Sequence, residues 1–319
     1  MVISMENLKK FNWSLFISLM LLALTPAIYQ TFRTFLISTN TNQVLFDVIS
    51  QMEWFDLINE SINAFLIVPL YSVFNSISKR SEEDFKSKVL KYGLLVFIIY
   101  SLFQGLVYLE GTNMVKFMTD ASIDIEVTTR YLMLETLAFS IGIIVSYINV
   151  IFVVIGKAKN IYINLAASSV MMVISDFWMI PSCGIYGIAY SNILVNLIVS
   201  ISLILVLRGS GYLKFSWFKK EDLADLKDYA KRGFCSGLQS AVSNIVYALM
   251  VVKMINMVSN QGIYWLANNF IWGFLLIPTY ALAEVIKHDT KNGYNNLNQK
   301  NYYLIIIGVI LVWLITIPL

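Results

Sequence analysis

Nine times along this chain the sequence runs for about 20 residues with few or no charges. That is the length a helix needs to cross roughly 30 Å of hydrocarbon at about 1.5 Å per residue. The runs fall at about 12–38, 53–77, 89–109, 127–155, 161–181, 185–207, 234–258, 263–286 and 302–319. A backbone inside a bilayer must satisfy its own N–H and C=O groups, which leaves helices and closed barrels. Barrel strands would alternate apolar and polar with period two, and these runs do not. The composition agrees: of 319 residues, 58% are apolar and 13% charged, where soluble domains carry about a quarter charged. A formal charge of +3 is no footprint for a nucleic acid, and two cysteines make no disulfide framework. The first run is longer than the apolar region of a signal peptide and lacks a small-residue cleavage site, so it reads as a span. The chain reads as an all-α membrane protein of about nine transmembrane helices.

Basic residues sort to alternate loops, as the positive-inside rule requires. With a cytoplasmic N-terminus, the inner segments hold 19 of the 23 basic residues, including Lys79, Arg80, Lys86, Lys88, Lys91, Lys157, Arg208, Lys214 and Lys231. The outer segments hold Lys116 and Arg130. Shifting the helix count by one would scramble this pattern. The reading is a multi-pass protein of the cell membrane, N-terminus inside. Trp54 and Trp178 fall at outer ends, where an aromatic belt would place them.

The chain also repeats itself. Pro69, in Ile67-Val68-Pro69-Leu70-Tyr71, aligns with Pro278, in Leu276-Ile277-Pro278-Thr279-Tyr280, at an offset of about 209 residues. The same offset places Asn59-Glu60 on Asn268-Asn269. Internal repeats are a signature of secondary transporters, whose substrate site lies between the two halves. Residues 1–207 read as a six-helix lobe, 208–232 as a cytoplasmic amphipathic linker, and 233–319 as the first three helices of a second lobe. Within the linker, Phe218, Leu223, Leu226, Tyr229 and Ala230 share one arc, which predicts a helix lying on the membrane surface. With three of six second-lobe helices present, the expectation is a truncated product.

Charges inside a bilayer are costly and mark pathways. Glu53, Asp56 and Glu60 follow i, i+3, i+7 spacing, and Asn63 extends the set to an arc of about 80° on the second span. Glu135 and Asp176 sit at similar depth, with Arg33 as the base among them. Five acids and one base predict a cavity attractive to cations, with Arg33 paired to Asp56 or Glu60. A second candidate counter-ion is Lys253, either snorkelling to the outer interface or paired with a first-lobe carboxylate. Asn244 and Asn268 are candidate cavity residues, although asparagines also simply bond neighbouring helices. Gly233 and Gly237 have the spacing that lets helices pack closely. No phosphate-binding loop, H-E-x-x-H motif or cysteine cluster occurs, so the chain reads as a non-enzyme without a resident cofactor.

Several stretches resemble the multidrug and toxic compound extrusion (MATE) family, within the multidrug/oligosaccharidyl-lipid/polysaccharide (MOP) flippase superfamily. They are Tyr29-Gln-Thr-Phe-Arg-Thr-Phe-Leu-Ile-Ser38, Gly156-Lys-Ala-Lys-Asn160, Ser175-Asp-Phe-Trp-Met-Ile180 and Gly184-Ile-Tyr-Gly-Ile-Ala189. The resemblance implies a twelve-helix exporter of small organic cations whose two lobes rock about a central cavity, driven by H⁺ or Na⁺. It implies ion coupling at Asp176. It also shows departures: Arg33 stands where members carry an aspartate, Met172 where an asparagine is expected, and Ser243-Asn244 near a carboxylate position. The expected partners are the bilayer and a small-molecule substrate. The alternatives are a lipid-linked saccharide flippase of the same superfamily and a non-transporting membrane fragment.

Overall fold

The computed structural model describes residues 11, 13–40, 43–120, 123–214, 216, 222–257, 261–291 and 296–316. All regular structure among them is helical. Seven helices are long and apolar enough to cross a membrane, or eight if the bent pair spanning 266–283 counts as one; a shorter apolar helix covers Tyr302–Leu314. These correspond to the nine runs read from the sequence. The chain divides into a larger unit, Phe32–Gly262, and a smaller one, Met1–Thr31 with Ile263–Leu319.

Helix α1 (Trp13–Asn40) leads to a short helix α2 (Gln43–Ser50) in what the sequence suggested was an outer loop. The second run is broken in two, α3 (Glu53–Leu66) and α4 (Val68–Arg80). Pro69 explains the break: it has no N–H to return to the Phe65 carbonyl and sits at the second position of α4, where a proline is tolerated. Pro278 takes the same place in the helix Ile277–Lys291.

Helix α5 (Glu82–Met118) is the longest, at 37 residues. Ser81 caps it by accepting from the Asp84 N–H, and Glu82, Glu83 and Asp84 fill the first turn, where acids favour the helix dipole. Asp124 caps α6 (Ile125–Val154) in the same way. Helices α7 (Ala158–Cys183) and α8 (Ile185–Gly209) are joined by one residue, Gly184, at φ 59°. A side chain at Gly187 would come within 2.2 Å of the Met179 carbonyl. The two glycines therefore let the chain reverse without a loop.

The linker differs from expectation. From Asp222 onward it forms the first turns of α9 (Asp222–Tyr247), with no stop at 232. Buried Lys91 holds Asp222 at 2.7 Å, and buried Lys88 reaches Asp225 at 2.6 Å. Arg80 clasps Asp225 with bonds of 2.7 and 2.9 Å. The basic ends of α4 and α5 thus draw this segment into the bundle. Phe218 lies outside the described residues. A π-helical turn (Ala248–Val252) and a last helical turn (Lys253–Asn256) continue α9.

Helix α9 packs along α3. Side chains at Gly233 and Gly237 would fall 2.6 Å from the Phe65 carbonyl and 2.1 Å from its ring, so these glycines do permit close packing. Helices α6 and α8 pack together, flanked by α5 and α7.

The larger unit has two apolar cores. One, toward the basic helix ends, contains Leu70, Phe74, Phe85, Tyr92, Tyr147 and Phe152. The other contains Trp54, Phe55, Leu132, Ile180 and Ile185. Trp178 is 76% exposed, as an interfacial residue should be, but Trp54 is fully buried and belongs to the core.

In the smaller unit, α10 (Gln261–Phe270) passes through a π-turn (Ile271–Leu275) into α11 (Ile277–Lys291), and α12 (Asn296–Thr316) follows. Phe11, Phe16, Leu282, Val285 and Tyr302 form its core.

Candidate functional site

Five helices of the larger unit each carry a polar residue between the two apolar cores. On α3, Asn59 lies between Phe55 of one core and Leu66 of the other. Gln104 on α5, Glu135 on α6, Asp176 on α7 and Asn192 on α8 take the same intermediate position. The result is a polar layer through an otherwise apolar bundle. Burying such groups is tolerable only if they satisfy one another, and each makes at least one bond to a neighbouring polar group, although Gln104 Oε1 has no donor among the described residues.

Arg33 is the hub. Its Nε donates to Asp176 Oδ2 at 2.7 Å and its Nη2 to Asp176 Oδ1 at 3.0 Å, a two-pronged clasp. Nη2 also donates to Asn192 Oδ1 at 2.8 Å. The Asn192 amide in turn donates to Glu135 Oε1 at 2.8 Å. The chain Asp176–Arg33–Asn192–Glu135 thus ties α1, α6, α7 and α8 together. Asp176 is 0% exposed and Arg33 16%.

This corrects the pairing expected for Arg33, which meets Asp176 rather than Asp56 or Glu60. A fully buried carboxylate has no water to solvate it and needs a cation, whereas Asp56 and Glu60 are exposed on the bundle. The fork geometry of the guanidinium then favours the buried partner.

The acidic stripe on α3 stands beside this chain of bonds. Asp56 lies within electrostatic reach of Glu135, Glu53, Glu60 and Arg33. Glu60 accepts from the Asn244 amide at 3.3 Å, and the same amide donates to the Leu57 carbonyl at 3.1 Å. Asn244 is therefore brought to the stripe as a clamp between α9 and α3. Asn63 carries a buried side-chain oxygen without a hydrogen-bond donor among the described residues. Asn268 belongs to the smaller unit, on α10.

Lys253, expected either to snorkel to the outer interface or to pair with a first-lobe carboxylate, shows no such pairing among the described residues. Its ammonium lies 3.2 Å from the centroid of the Phe117 ring. The π-turn just before it adds a residue to the helical turn and rotates Lys253 away from the face a regular helix predicts. A cation over an aromatic face is stabilised without a carboxylate.

Two sets of polar partners could not be read from the sequence. Asn59 Oδ1 accepts from the Tyr100 hydroxyl at 2.7 Å and from the Gln104 amide, welding α3 to α5. Along α8, Asn192, Asn196 and Ser200 recur every fourth residue and donate to Glu135, the Ala138 carbonyl and the Ile141 carbonyl of α6. The available signal was spacing: lone polar residues one turn apart inside apolar runs.

The sequence matches no protein-family profile and no curated protein. Solved structures do match. A MOP superfamily transporter from Pyrococcus furiosus superposes with a TM-score of 0.65 at 16% identity, over 96% of this chain and 70% of that one. A MATE protein crystallised with MaD3S superposes at 0.60 and 14% identity, over 88% and 71%. A P26A mutant of a MATE protein superposes at 0.60 and 14% identity, over 97% and 74%. The fold is that of the MATE transporters. This chain spans between 64% and 74% of the length of the matched chains. The MATE-type structures are transporters rather than enzymes, and the polar layer lies within the MATE fold as part of a multi-pass membrane bundle.

Proposed function

We propose that this protein is a secondary exporter of small organic cations, coupled to H⁺ or Na⁺ and working by alternating access in the cell membrane. One observation carries the reading: the charge of Arg33 is taken up by Asp176, while Asp56 and Glu60 remain exposed on α3. The base at the site is spent internally and the accessible face is acidic, which attracts and holds cations. A guanidinium stays protonated in proteins, so Asp176 is fixed as its counter-ion and acts as a positioning residue. Exchange of the coupling ion falls to Asp56 and Glu60, with Glu135 linked to Arg33 through Asn192.

The P. furiosus MOP transporter is described as having a binding pocket of reverse polarity, suggesting a different function. A flippase for lipid-linked saccharides would need free bases to hold pyrophosphate. Arg33 is engaged by Asp176 and Lys253 lies on Phe117, so the cation reading is favoured.

The test is uptake of a fluorescent organic cation into inside-out proteoliposomes carrying the protein, with an imposed pH or Na⁺ gradient. Asp56→Asn is expected to abolish gradient-driven accumulation while leaving insertion intact. Undiminished accumulation by Asp56→Asn, or accumulation of an anionic dye instead, would overturn the assignment.

A further inference from the structure

On the outer wall of the larger unit, away from the polar layer, α5, α6 and α8 enclose a groove of about 290 Å³. Val89, Leu90, Gly93, Phe97, Ile144 and Ile204 are among the residues that line it, with Leu213 at one end. Tyr147 is the lining residue with a polar side-chain atom, and its hydroxyl is already bonded to the Val89 carbonyl. Leu94, Phe97 and Ile204 are exposed, so the groove opens onto the bundle surface. Gly93 helps shape it, since a side chain there would press to 2.9 Å from the Tyr147 ring. Along α5 the groove begins roughly 10 Å and ends roughly 22 Å from Glu82 at 1.5 Å per residue. That is the depth of one leaflet, on the side the basic loops assign to the cytoplasm.

The mouth of the groove is basic. Lys86 precedes Val89, Leu90, Gly93 and Phe97 on the same face of α5, by helical spacing. Arg208 follows Ile204 by one turn on α8. Tyr212, next to the lining residue Leu213, draws two lysines to its ring: Lys86 at 5.3 Å and Lys157 at 6.0 Å. Lys157 also donates to the Ser210 hydroxyl at 3.2 Å, and Lys214 lies two residues beyond Tyr212. Two acids answer these bases, Glu82 with Lys86 and Glu83 with Lys214, and their side chains are 67% and 87% exposed. Lys157 and Arg208 make no ion pair among the described residues.

We propose that this groove binds an anionic phospholipid of the inner leaflet, with one acyl chain along α5, α6 and α8 and the phosphate between Lys86, Lys157 and Arg208. The complementarity is of two kinds. A dry apolar slot open to the bilayer is filled by hydrocarbon at little cost, and a cluster of bases at its cytoplasmic mouth selects a negative headgroup over a zwitterionic one. Partly exposed surface pairs such as Lys86–Glu82 are weak enough for a phosphate to displace.

The experiment reconstitutes the protein in bilayers of equal parts phosphatidylglycerol and phosphatidylethanolamine with matched chains. It is then extracted in mild detergent, and the lipid retained is counted by native mass spectrometry. Phosphatidylglycerol is expected to be enriched. Lys157→Gln with Arg208→Gln should lower that enrichment by about five-fold for each charge removed. Ile204→Trp, which fills the groove from an exposed position, should lower retention with every base intact. High salt should erase the enrichment in the unaltered protein, which supplies a test even if a variant fails to fold. Equal retention of the two lipids by the unaltered protein would overturn the proposal. So would full enrichment in Ile204→Trp, which would mean headgroup attraction to the surface alone.

Discussion

The Arg33–Asp176 clasp makes a quantitative prediction by double-mutant cycle. Asp176→Asn removes a charge from a fully buried site and leaves a guanidinium only 16% exposed. Breaking one side of a buried pair costs about 3–5 kcal/mol. Asparagine still accepts one hydrogen bond and Asn192 keeps its own, so the lower end applies, about 3 kcal/mol for Asp176→Asn and similarly for Arg33→Gln. The double variant puts two neutral amides face to face and leaves neither member of the pair charged. It should lose about 3 kcal/mol rather than the additive 6, a coupling of roughly 3 kcal/mol. Heating in detergent, followed by size-exclusion of the surviving monodisperse protein, reads these losses as midpoints. Each single variant should fall by roughly 6–12 °C, at about 2–4 °C per kcal/mol for a unit of this size. A double variant that falls as far as the two singles combined would refute the pairing.

Gly237→Ala should lower the same midpoint by the equivalent of about 1–3 kcal/mol of overpacking, because the new methyl lands on the Phe65 ring. Phe65→Ala in the same chain should recover part of that loss, and no recovery would place the strain elsewhere. Lys91→Met should destabilise by less than the about 3–5 kcal/mol of a fully broken buried pair, because Asp222 loses its 2.7 Å contact but keeps Lys88 at 3.7 Å, and adding Asp222→Asn should recover part of that loss. An impermeant maleimide added to intact cells should label Cys183 and spare Cys235, both exposed in the structure. The reverse labelling would invert the topology.

The bundle was legible because hydrocarbon imposes a single rule, that charges stay out for about 20 residues at a time. That rule located every long helix, and of the charges that broke it Arg33, Asp56, Glu135 and Asp176 fall in or beside the polar layer, whereas Lys253 lies on Phe117. Partner choice was not legible. A helical wheel places Asp56 and Asp176 at similar depth but does not say which is dry, and dryness decides where a guanidinium goes. Lys253 shows a second limit, since the π-turn at Ala248–Val252 shifts the wheel itself. The fusion of the linker with α9 was missed because its charges read as a solvated face, while Lys88, Lys91 and Arg80 were waiting as its partners. Gly184, Gly187, Gly233 and Gly237 were visible as small residues, but only neighbouring backbone or ring atoms at under 3 Å explain why nothing larger fits.

The clasp between Arg33 and Asp176 joins residues 143 positions apart, and that separation has a consequence for synthesis. A ribosome adding about 5–20 residues per second takes roughly 7–30 s to travel from one to the other. During that interval α1 has left the ribosome with its guanidinium, and the carboxylate that neutralises it does not yet exist. An arginine alone in a membrane helix is disfavoured on insertion by about 2.5–3.5 kcal/mol at the centre and by less toward an end, and Arg33 lies four residues from the Ile37 end of its span. The first helix can therefore stand shifted toward the nearer interface until α7 arrives. Final placement of the first span is in this way a late event, timed by the fifth of the long apolar helices, and an α7 that is delayed or missing leaves α1 as the segment exposed to quality control.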